Sequence, residues 1–316
     1  MSDLPLVTIV TPSFNQAAYL EQTIRSVLTQ DYPNLEYLIV DGGSKDGSLE
    51  IIRKYSDKLA WWVSEPDHGQ AEGINKGLQR AKGEYVAWLN SDDYYLPGVI
   101  AQAVELLQLN PAAAFVFGDV LAVDENSQIT NVMHYGNWDL SDLMMFNIIG
   151  QPGVLMRRSI LEKAGYLDLS YHYLLDHQLW LRMGLLGKPV YARQTWAAAR
   201  FHSEAKNVAH AAEFGAEAYR IVAWMEAEPK FQPHLSPIRL QVMAGAHRMN
   251  ARYLLDGDQP WQALKAYWKG LTSYAPIVLP EWHRMVYALL SILGLKNLRS
   301  VYLKLRYRIQ KPGVKT

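Results

Sequence analysis

Five short β-rich runs mark the first 120 residues: LVTIV (6 to 10), LEYLIV (35 to 40), WWVS (61 to 64), YVAWL (85 to 89) and AFVFGDV (114 to 120). Helical patterns lie between them. Leu20, Ile24, Val27 and Leu28 recur at helical spacing, and so do Leu49, Ile52 and Tyr55. The runs are nearly continuous in apolar residues, as strands buried on both faces should be. Strand and helix in alternation predict an α/β domain: a mostly parallel central sheet sandwiched by helices, Rossmann-like in arrangement. After residue 205 the pattern becomes helical only, in AEAYRIVAWM, IRLQVMAGAHRMNARYLL and WQALKAYWKGL, with Pro and Gly stops near 229 to 237 and 257 to 260. The chain is therefore expected to divide into a first domain over residues 1–206 and an all-helical C-terminal extension over 207–316.

Each of the first four runs is followed by a polar cluster: TPSFN, DGGSKDGS, SEPDHGQ and NSDD. Any one of these is an ordinary turn. Four in register on one rim point to ligand binding, because open α/β sheets take ligands beyond the carboxyl ends of their strands. The last cluster sets Asp92 and Asp93 side by side. Two ionised carboxylates repel unless a cation or hydrogen bonds relieve them. Hard oxygen ligands suit Mg²⁺ or Mn²⁺, which takes one or two carboxylates together with waters and the phosphates of a substrate. A nucleoside diphosphate is the implied ligand. The alternative is that both acids cap the next helix, around PGVIAQAVELL.

Composition narrows the field. The 31 basic and 31 acidic side chains cancel, which argues against a nucleic-acid binder, and the absence of cysteine excludes disulfides, thiolate metal sites and a cysteine nucleophile. The opening MSDLPLVTIVTPSFN lacks the basic flank and long apolar core of a signal peptide, so a cytoplasmic protein is expected. MVYALLSILGL, at 285 to 295, is roughly half the length that spans a bilayer. From His283 to Thr316 there are eight Lys or Arg and no acid. Leu295, Leu298, Tyr302, Leu305 and Ile309 fall on one helical face there, with Lys296, Arg299, Lys304, Arg306 and Arg308 mostly away from it. Such a helix suits peripheral contact with the inner face of the cell membrane, each basic residue adding about 1 kcal/mol near an anionic leaflet. A helix packed on its own domain is the alternative.

The motifs TPSFN, VDGGSKDGS, SEPDHGQAEGINKG, WLNSDD and LLDHQLWLRM, taken together, give the chain a close likeness to a known family. It resembles the inverting family 2 glycosyltransferases of the type A fold, of the bacterial surface-polysaccharide kind, over residues 6–206. A dinucleotide-binding dehydrogenase is the topological rival, but GGSKDG lacks the GxGxxG spacing. The resemblance implies a nucleotide-diphospho-sugar donor, expected to be a UDP-sugar, a Mn²⁺ or Mg²⁺ ion, and a saccharide or lipid-linked saccharide acceptor. It places Asp41 on the nucleotide base, Thr11, Pro12, Ser13 and Asn15 on one wall of the donor cleft, and Asp67, Gly69, Gln70 and Asn75 on another. Asp92 is then directed to the ribose or sugar and Asp93 to the metal. His202 completes the metal shell, and Lys206, with Arg200 as a partner, meets the diphosphate. Gln151 and Pro152 line the acceptor side.

Inverting transfer needs a carboxylate that takes the acceptor hydroxyl's proton. Asp176 is the candidate, with a plain N-terminal helix cap as the alternative. Three positions depart from the family pattern: Ile74 where many relatives have arginine, Ser91 in the first place of the acidic motif, and Leu175 before the base. Tyr135, Trp138, Tyr171 and Tyr173 offer aromatic faces to a sugar ring. Two other functions share much of this layout. A sugar-phosphate nucleotidyltransferase would want a glycine-rich basic loop that TPSFNQAAYLEQ lacks, and a non-catalytic sugar-nucleotide or carbohydrate binder would keep the cleft without needing Asp176.

Overall fold

The computed structural model describes residues 4–202 and 213–295. Lys206 and the basic tail from Lys296 onward lie outside the described residues. The chain divides into two compact units, Met1–Leu143 with Ile148–Phe201, and Met144–Asn147 with His202–Thr316.

The first unit is built on a nine-stranded sheet: β1 (Val7–Ser13), β2 (Leu35–Asp41), β3 (Trp61–Ser64), β4 (Tyr85–Trp88), β5 (Tyr94–Tyr95), β6 (Ala113–Val123), β7 (Ile129–Met133), β8 (Val154–Arg157) and β9 (Lys188–Arg200). Their order is β3-β2-β1-β4-β8-β6-β9-β5, with β7 paired to β6. The first four strands are parallel, as the alternating pattern predicts. β8 enters antiparallel between β4 and β6, and β5 and β7 are antiparallel as well, so the sheet is mixed beyond β4. Because β8 opposes both neighbours, β6 points the same way as β4. Val86 and Phe115 both face Met156 across β8. Four residues further along each strand, Asn90 and Asp119 reach one common rim, where Ser13, Asp41 and Ser64 also stand in register.

Helices cover this sheet: α1 (Ala17–Leu28), α2 (Ser48–Lys54), α3 (Gln70–Arg80), α4 (Val99–Leu109), α5 (Leu140–Met144), α6 (Arg158–Ala164) and α7 (Leu175–Gly184). α3 lies so close to β1 that a Cβ at Gly77 would come within 2.2 Å of Val10 Cγ1. Only glycine permits that approach. α7 drives Trp180 into the core, stacked on Trp88 at 5.4 Å between ring centroids and tilted against Phe115 at 5.1 Å. All three rings are fully buried. Truncating such a side chain to Ala costs about 3–5 kcal/mol, so these rings fix where α7 begins relative to the ends of β4 and β6.

The second unit is helical: α8 (Phe214–Ala227), α9 (Gln232–Leu235), α10 (Arg239–Asp256), α11 (Pro260–Val278) and α12 (Trp282–Ile292). Small buried residues, Ala244, Ala251, Ala263 and Ala266, let α10 and α11 pack closely. α11 kinks at Tyr274 (φ −161°, ψ 95°), two residues before Pro276, whose ring and missing amide hydrogen break the i→i−4 ladder in that turn. Glu281 is buried and bonded to Arg252 and to the Tyr267 hydroxyl. Burial works to raise its carboxyl, but Arg252, with Arg284 and Arg248, holds it below its ordinary value.

Candidate active site

The loops after β1 and β2 are stitched together at the rim. Asn15 takes a left-handed conformation (φ 51°), which asparagine tolerates better than most residues. Its side-chain oxygen accepts the Lys45 amide at 2.9 Å, and its own amide donates to Ser44 Oγ at 2.8 Å. Asp41 is fully buried. Its Oδ2 accepts the amides of Gly43 (3.1 Å) and Ser44 (2.9 Å) and the Ser64 hydroxyl (2.7 Å), while Oδ1 accepts the Ser44 hydroxyl (2.5 Å). The aspartate thus shapes the DGGS turn, and Oδ1 keeps a free acceptor position. The Thr11 hydroxyl bonds Tyr37 at 2.9 Å inside the sheet, and Pro12 beside it is buried too. Ser13 Oγ is buried with no hydrogen-bond partner.

The wall formed by α3 begins at Asp67, whose Oδ1 accepts the Gly69 amide at 2.9 Å. Its carboxylate lies against Gly42 and Gly73, where an added Cβ would sit 3.0 and 3.2 Å from Oδ2. Gln70 donates to Asn90 Oδ1 at 2.8 Å, tying the start of α3 to the end of β4. Asn75 makes two bonds to Leu167, donating to its carbonyl (2.8 Å) and accepting its amide (2.9 Å). His68 faces solvent and pairs with Glu72.

Asp92 and Asp93 do not cap α4. β5 intervenes, and the N-cap of α4 is Gly98, with no side-chain cap. Instead the turn carrying them is held from three sides. The Thr23 hydroxyl of α1 reaches the carbonyls of Ser91 (2.9 Å) and Asp93 (2.6 Å). Asn90 donates to Asp93 Oδ2 at 3.3 Å, and the Arg200 amide donates to Asp93 Oδ1 at 2.9 Å. The Arg200 guanidinium, itself buried, donates to the carbonyls of Asp92 (3.0 Å), Asp124 (3.0 Å) and Glu125 (3.1 Å) and to Gln22 Oε1 (2.7 Å). It also lies over the Tyr19 ring at 4.6 Å. Arg200 is therefore occupied in holding the acidic turn.

Asp93 is 5% exposed. Burial first, and the neighbouring Asp92 second, push its carboxyl well above the usual carboxylate range, against the opposing Arg200 amide. Such a group favours a proton until a cation takes the proton's place. No cluster of three or more His, Asp or Glu stands ready for a metal among the described residues. Two adjacent carboxylates, one of them buried and raised in its affinity for a proton, fit an ion of the Mg²⁺ or Mn²⁺ kind that draws its other ligands from water and phosphate. His202 is buried and belongs to the second unit.

Asp176 is the second residue of α7. The N-cap is Leu174, with no side-chain cap bond, so Asp176 is not the cap, and its Oδ1 accepts the His177 amide at 2.7 Å. The segment leading into α7 is held by Asn75 on one side and by Arg182 on the other. Arg182 donates to the carbonyls of Ala164 (2.7 Å), Gly165 (2.9 Å) and Tyr166 (2.7 Å). Gln151 donates to the Trp88 carbonyl at 2.7 Å, and its Oε1 is buried without a partner. Next to it, the Tyr135 hydroxyl accepts the Gly150 amide at 2.9 Å. Burial chiefly, with smaller contributions from Asp119, Asp176 and Tyr191, raises the Tyr135 hydroxyl above its ordinary value. Tyr135 and Asp176 are thus electrostatic neighbours.

Several residues of this arrangement escape a reading of the sequence. Asp119 is buried at the rim and accepts from His134 Nδ1 (2.6 Å), the Tyr135 amide (3.0 Å) and the Tyr191 hydroxyl (2.7 Å). Tyr135, Trp138 and Tyr191 surround the Phe117 ring at 5.4 to 6.3 Å. An acid inside the apolar run AFVFGDVLAV is the signal that could have singled out Asp119. Thr23, a polar residue within the apolar stripe of Leu20, Ile24 and Val27, carries a similar mark. Of the other two aromatics noted in the sequence, Tyr171 is buried.

Residues 8–164 match the family model described as glycosyl transferase family 2. An uncharacterized glycosyltransferase of Rickettsia typhi is 29% identical over 207 residues, 63% of this chain and 64% of the relative. The chain thus matches just under two thirds of that relative's length. TuaG of Bacillus subtilis, a glycosyltransferase named for teichuronic acid biosynthesis, is 31% identical over 169 residues, 52% of this chain and 66% of TuaG. Among solved structures, S. aureus TarS 1-349 in complex with UDP superposes with a TM-score of 0.58 at 16% identity, covering 86% of this chain and 90% of that one. The Pyrobaculum calidifontis mannosyltransferase PcManGT, in complex with GDP-Man and Mn²⁺, gives 0.61 at 21% identity over 96% and 86%. With this architecture and these motifs in place, the chain belongs to glycosyl transferase family 2 and has the type A fold.

Proposed function

We propose that the chain is a metal-dependent inverting glycosyltransferase that moves a sugar from a nucleotide-diphospho-sugar, a UDP-sugar by preference, to a saccharide or lipid-linked saccharide in polysaccharide biosynthesis. The observation that carries the reading is Asp93, a buried carboxylate raised by burial and by Asp92, fixed on the rim where β4 ends. The nucleotides held by TarS and PcManGT and the name of TuaG support the donor and pathway classes. Catalysis is assigned to residues 1–206, with 207–316 as a helical appendage.

In this reading Asp41 Oδ1 meets the base, Thr11, Pro12, Ser13 and Asn15 form one side of the cleft, and Asp67, Gly69 and Gln70 form the other. Asn75, whose amide is committed to Leu167, acts from behind by holding the segment that precedes Asp176. Asp92 addresses the ribose or sugar. Mn²⁺ or Mg²⁺ held by Asp93 would neutralise charge on the departing nucleoside diphosphate. His202 and Lys206 are assigned to the metal and the diphosphate by family likeness alone. Asp176 takes the proton of the acceptor hydroxyl as that oxygen bonds to the anomeric carbon and the nucleoside diphosphate leaves with the electron pair of the broken bond. The buried, unpartnered Ser13 Oγ and Gln151 Oε1 suit a site completed by its substrates.

Asp176→Asn tests this. Transfer from the active member of a nucleotide-sugar panel should fall by about 10²-fold or more, while nucleotide binding, read by thermal shift, stays near wild type. Undiminished turnover would refute Asp176 as the base. A chain that binds nucleotide and releases none with any sugar would leave only the binding-protein reading.

A further inference from the structure

The second unit carries a surface that the proposed transfer reaction does not use. Ten of the seventeen exposed large apolar side chains among the described residues fall between Trp261 and Leu295. On α12, Trp282, Val286, Leu289 and Leu293 follow the spacing i, i+4, i+7, i+11, one continuous helical face, and Trp282 and Leu293 are 57% and 73% exposed. On α11, Trp261 and Trp268 lie seven residues apart on one face, 58% and 68% exposed, with Lys265 between them and its ammonium 5.5 Å from the Trp261 ring centre. Opposite faces of both helices bury Ala263, Ala266, Tyr267 and Ala288. Both helices are thus already packed on one side and still present large apolar groups on the other. Single exposed apolar residues mean little, but a concentrated set marks an interaction surface.

Charge says what kind of surface it meets. From Pro260 to Thr316 the sequence holds ten Lys or Arg and a single acid, Glu281. Glu281 is buried and already paired with Arg252. Within α11 and α12 themselves no exposed carboxylate accompanies the tryptophans and leucines, and Lys265 and Lys269 are exposed beside them. The exposed acids Asp256 and Asp258 precede α11, and Asp256 is paired with Arg284 of α12. Tryptophan at a boundary, aliphatic side chains on one helical face and lysine without acid are the combination that lies in the headgroup plane of an anionic bilayer. No helix of the described residues is long and apolar enough to cross a membrane. We propose that the exposed faces of α11 and α12 form a docking surface for anionic lipid, seated in the bilayer interface.

The test is co-sedimentation of the full chain with phosphatidylcholine vesicles, with and without phosphatidylglycerol, at low and high salt. Binding to the anionic vesicles alone, weakened by salt, is expected. The double variant Trp282→Ser/Leu289→Ser should lower the partition coefficient by about tenfold or more. Leu186→Ser, an exposed apolar site in the first unit, should bind as wild type, and the melting temperature of each variant checks that it is folded. No binding to anionic vesicles overturns the proposal. So does binding that ends on truncation after Leu295 yet ignores the double variant, since the basic tail alone would then be the anchor. A wild-type dimer in sedimentation velocity that the double variant dissociates, without lipid binding, would assign the face to a second copy. Nucleotide plays no part in any of these readouts, so they stand or fall separately from the transfer reaction.

Discussion

At the scale of single residues, Asp93 is the side chain whose environment makes the least sense without a ligand. It is buried beside a second carboxylate, and the two hydrogen bonds it accepts leave its affinity for a proton raised. Replacing it removes that burden. Asp93→Asn should be as stable as wild type or more so at neutral pH in metal-free buffer, measured by chemical denaturation, and should lose any stabilisation by Mn²⁺ with nucleotide. A variant less stable than wild type that still responds to Mn²⁺ would contradict the assignment. The pair Asp92–Asp93 was legible in the sequence because adjacency of like charge is a local property. Arg200 was legible only as a basic residue near the site. That its guanidinium reaches the Asp92, Asp124 and Glu125 carbonyls depends on β9 running beside β6, which no local pattern encodes.

At the scale of elements, two supports position the chemistry. The acidic turn rests on Arg200, and Arg200→Ala leaves at least three carbonyls without their donor. A loss of about 3–5 kcal/mol is expected in urea unfolding, with weaker nucleotide binding, whereas unchanged affinity would show that the turn stands without it. The start of α7 rests in part on Asn75. Asn75→Ala removes two hydrogen bonds, each worth about 1 kcal/mol, and should lower turnover while leaving nucleotide affinity within a few-fold. An equal loss in both would place Asn75 on the donor instead. Strands β1 to β4 and β6 could be read from the sequence because their apolar runs alternate with helical patterns and are bounded by turns. β8 is set by its antiparallel insertion between β4 and β6, a non-local pairing, and β9 ends in the alanine-rich TWAAAR, whose strand form comes from pairing with β6 and β5 rather than from propensity.

For the molecule as a whole, pH should report on His177. It is fully buried in α7, and burial lowers its imidazole from 6.5 to about 4, only partly offset by the Leu143 backbone. A histidine neutral in the native state gives stability that is complete above about 6.5 and lost as pH falls toward 4, because the unfolded chain takes up the proton first. A shift of this size corresponds to roughly 3 kcal/mol. Asp93 has the opposite sign: its raised carboxyl favours the native state at low pH and loses that advantage as pH rises. Stability is therefore best followed between pH 4 and 7 in the Asp93→Asn background, where the decline on acidification should persist and should flatten on adding His177→Leu. A flat profile before that second change would contradict the assignment.

The central claim is that a divalent cation and a nucleoside diphosphate meet at the rim where Asp92 and Asp93 stand. Isothermal titration of UDP and of GDP into the full chain, with Mn²⁺ and with chelator, measures it directly. Binding of at least one nucleotide should strengthen by about tenfold or more with Mn²⁺, and Asp93→Asn should erase the difference. Equal affinity with and without the ion, or no uptake of either nucleotide, would contradict it.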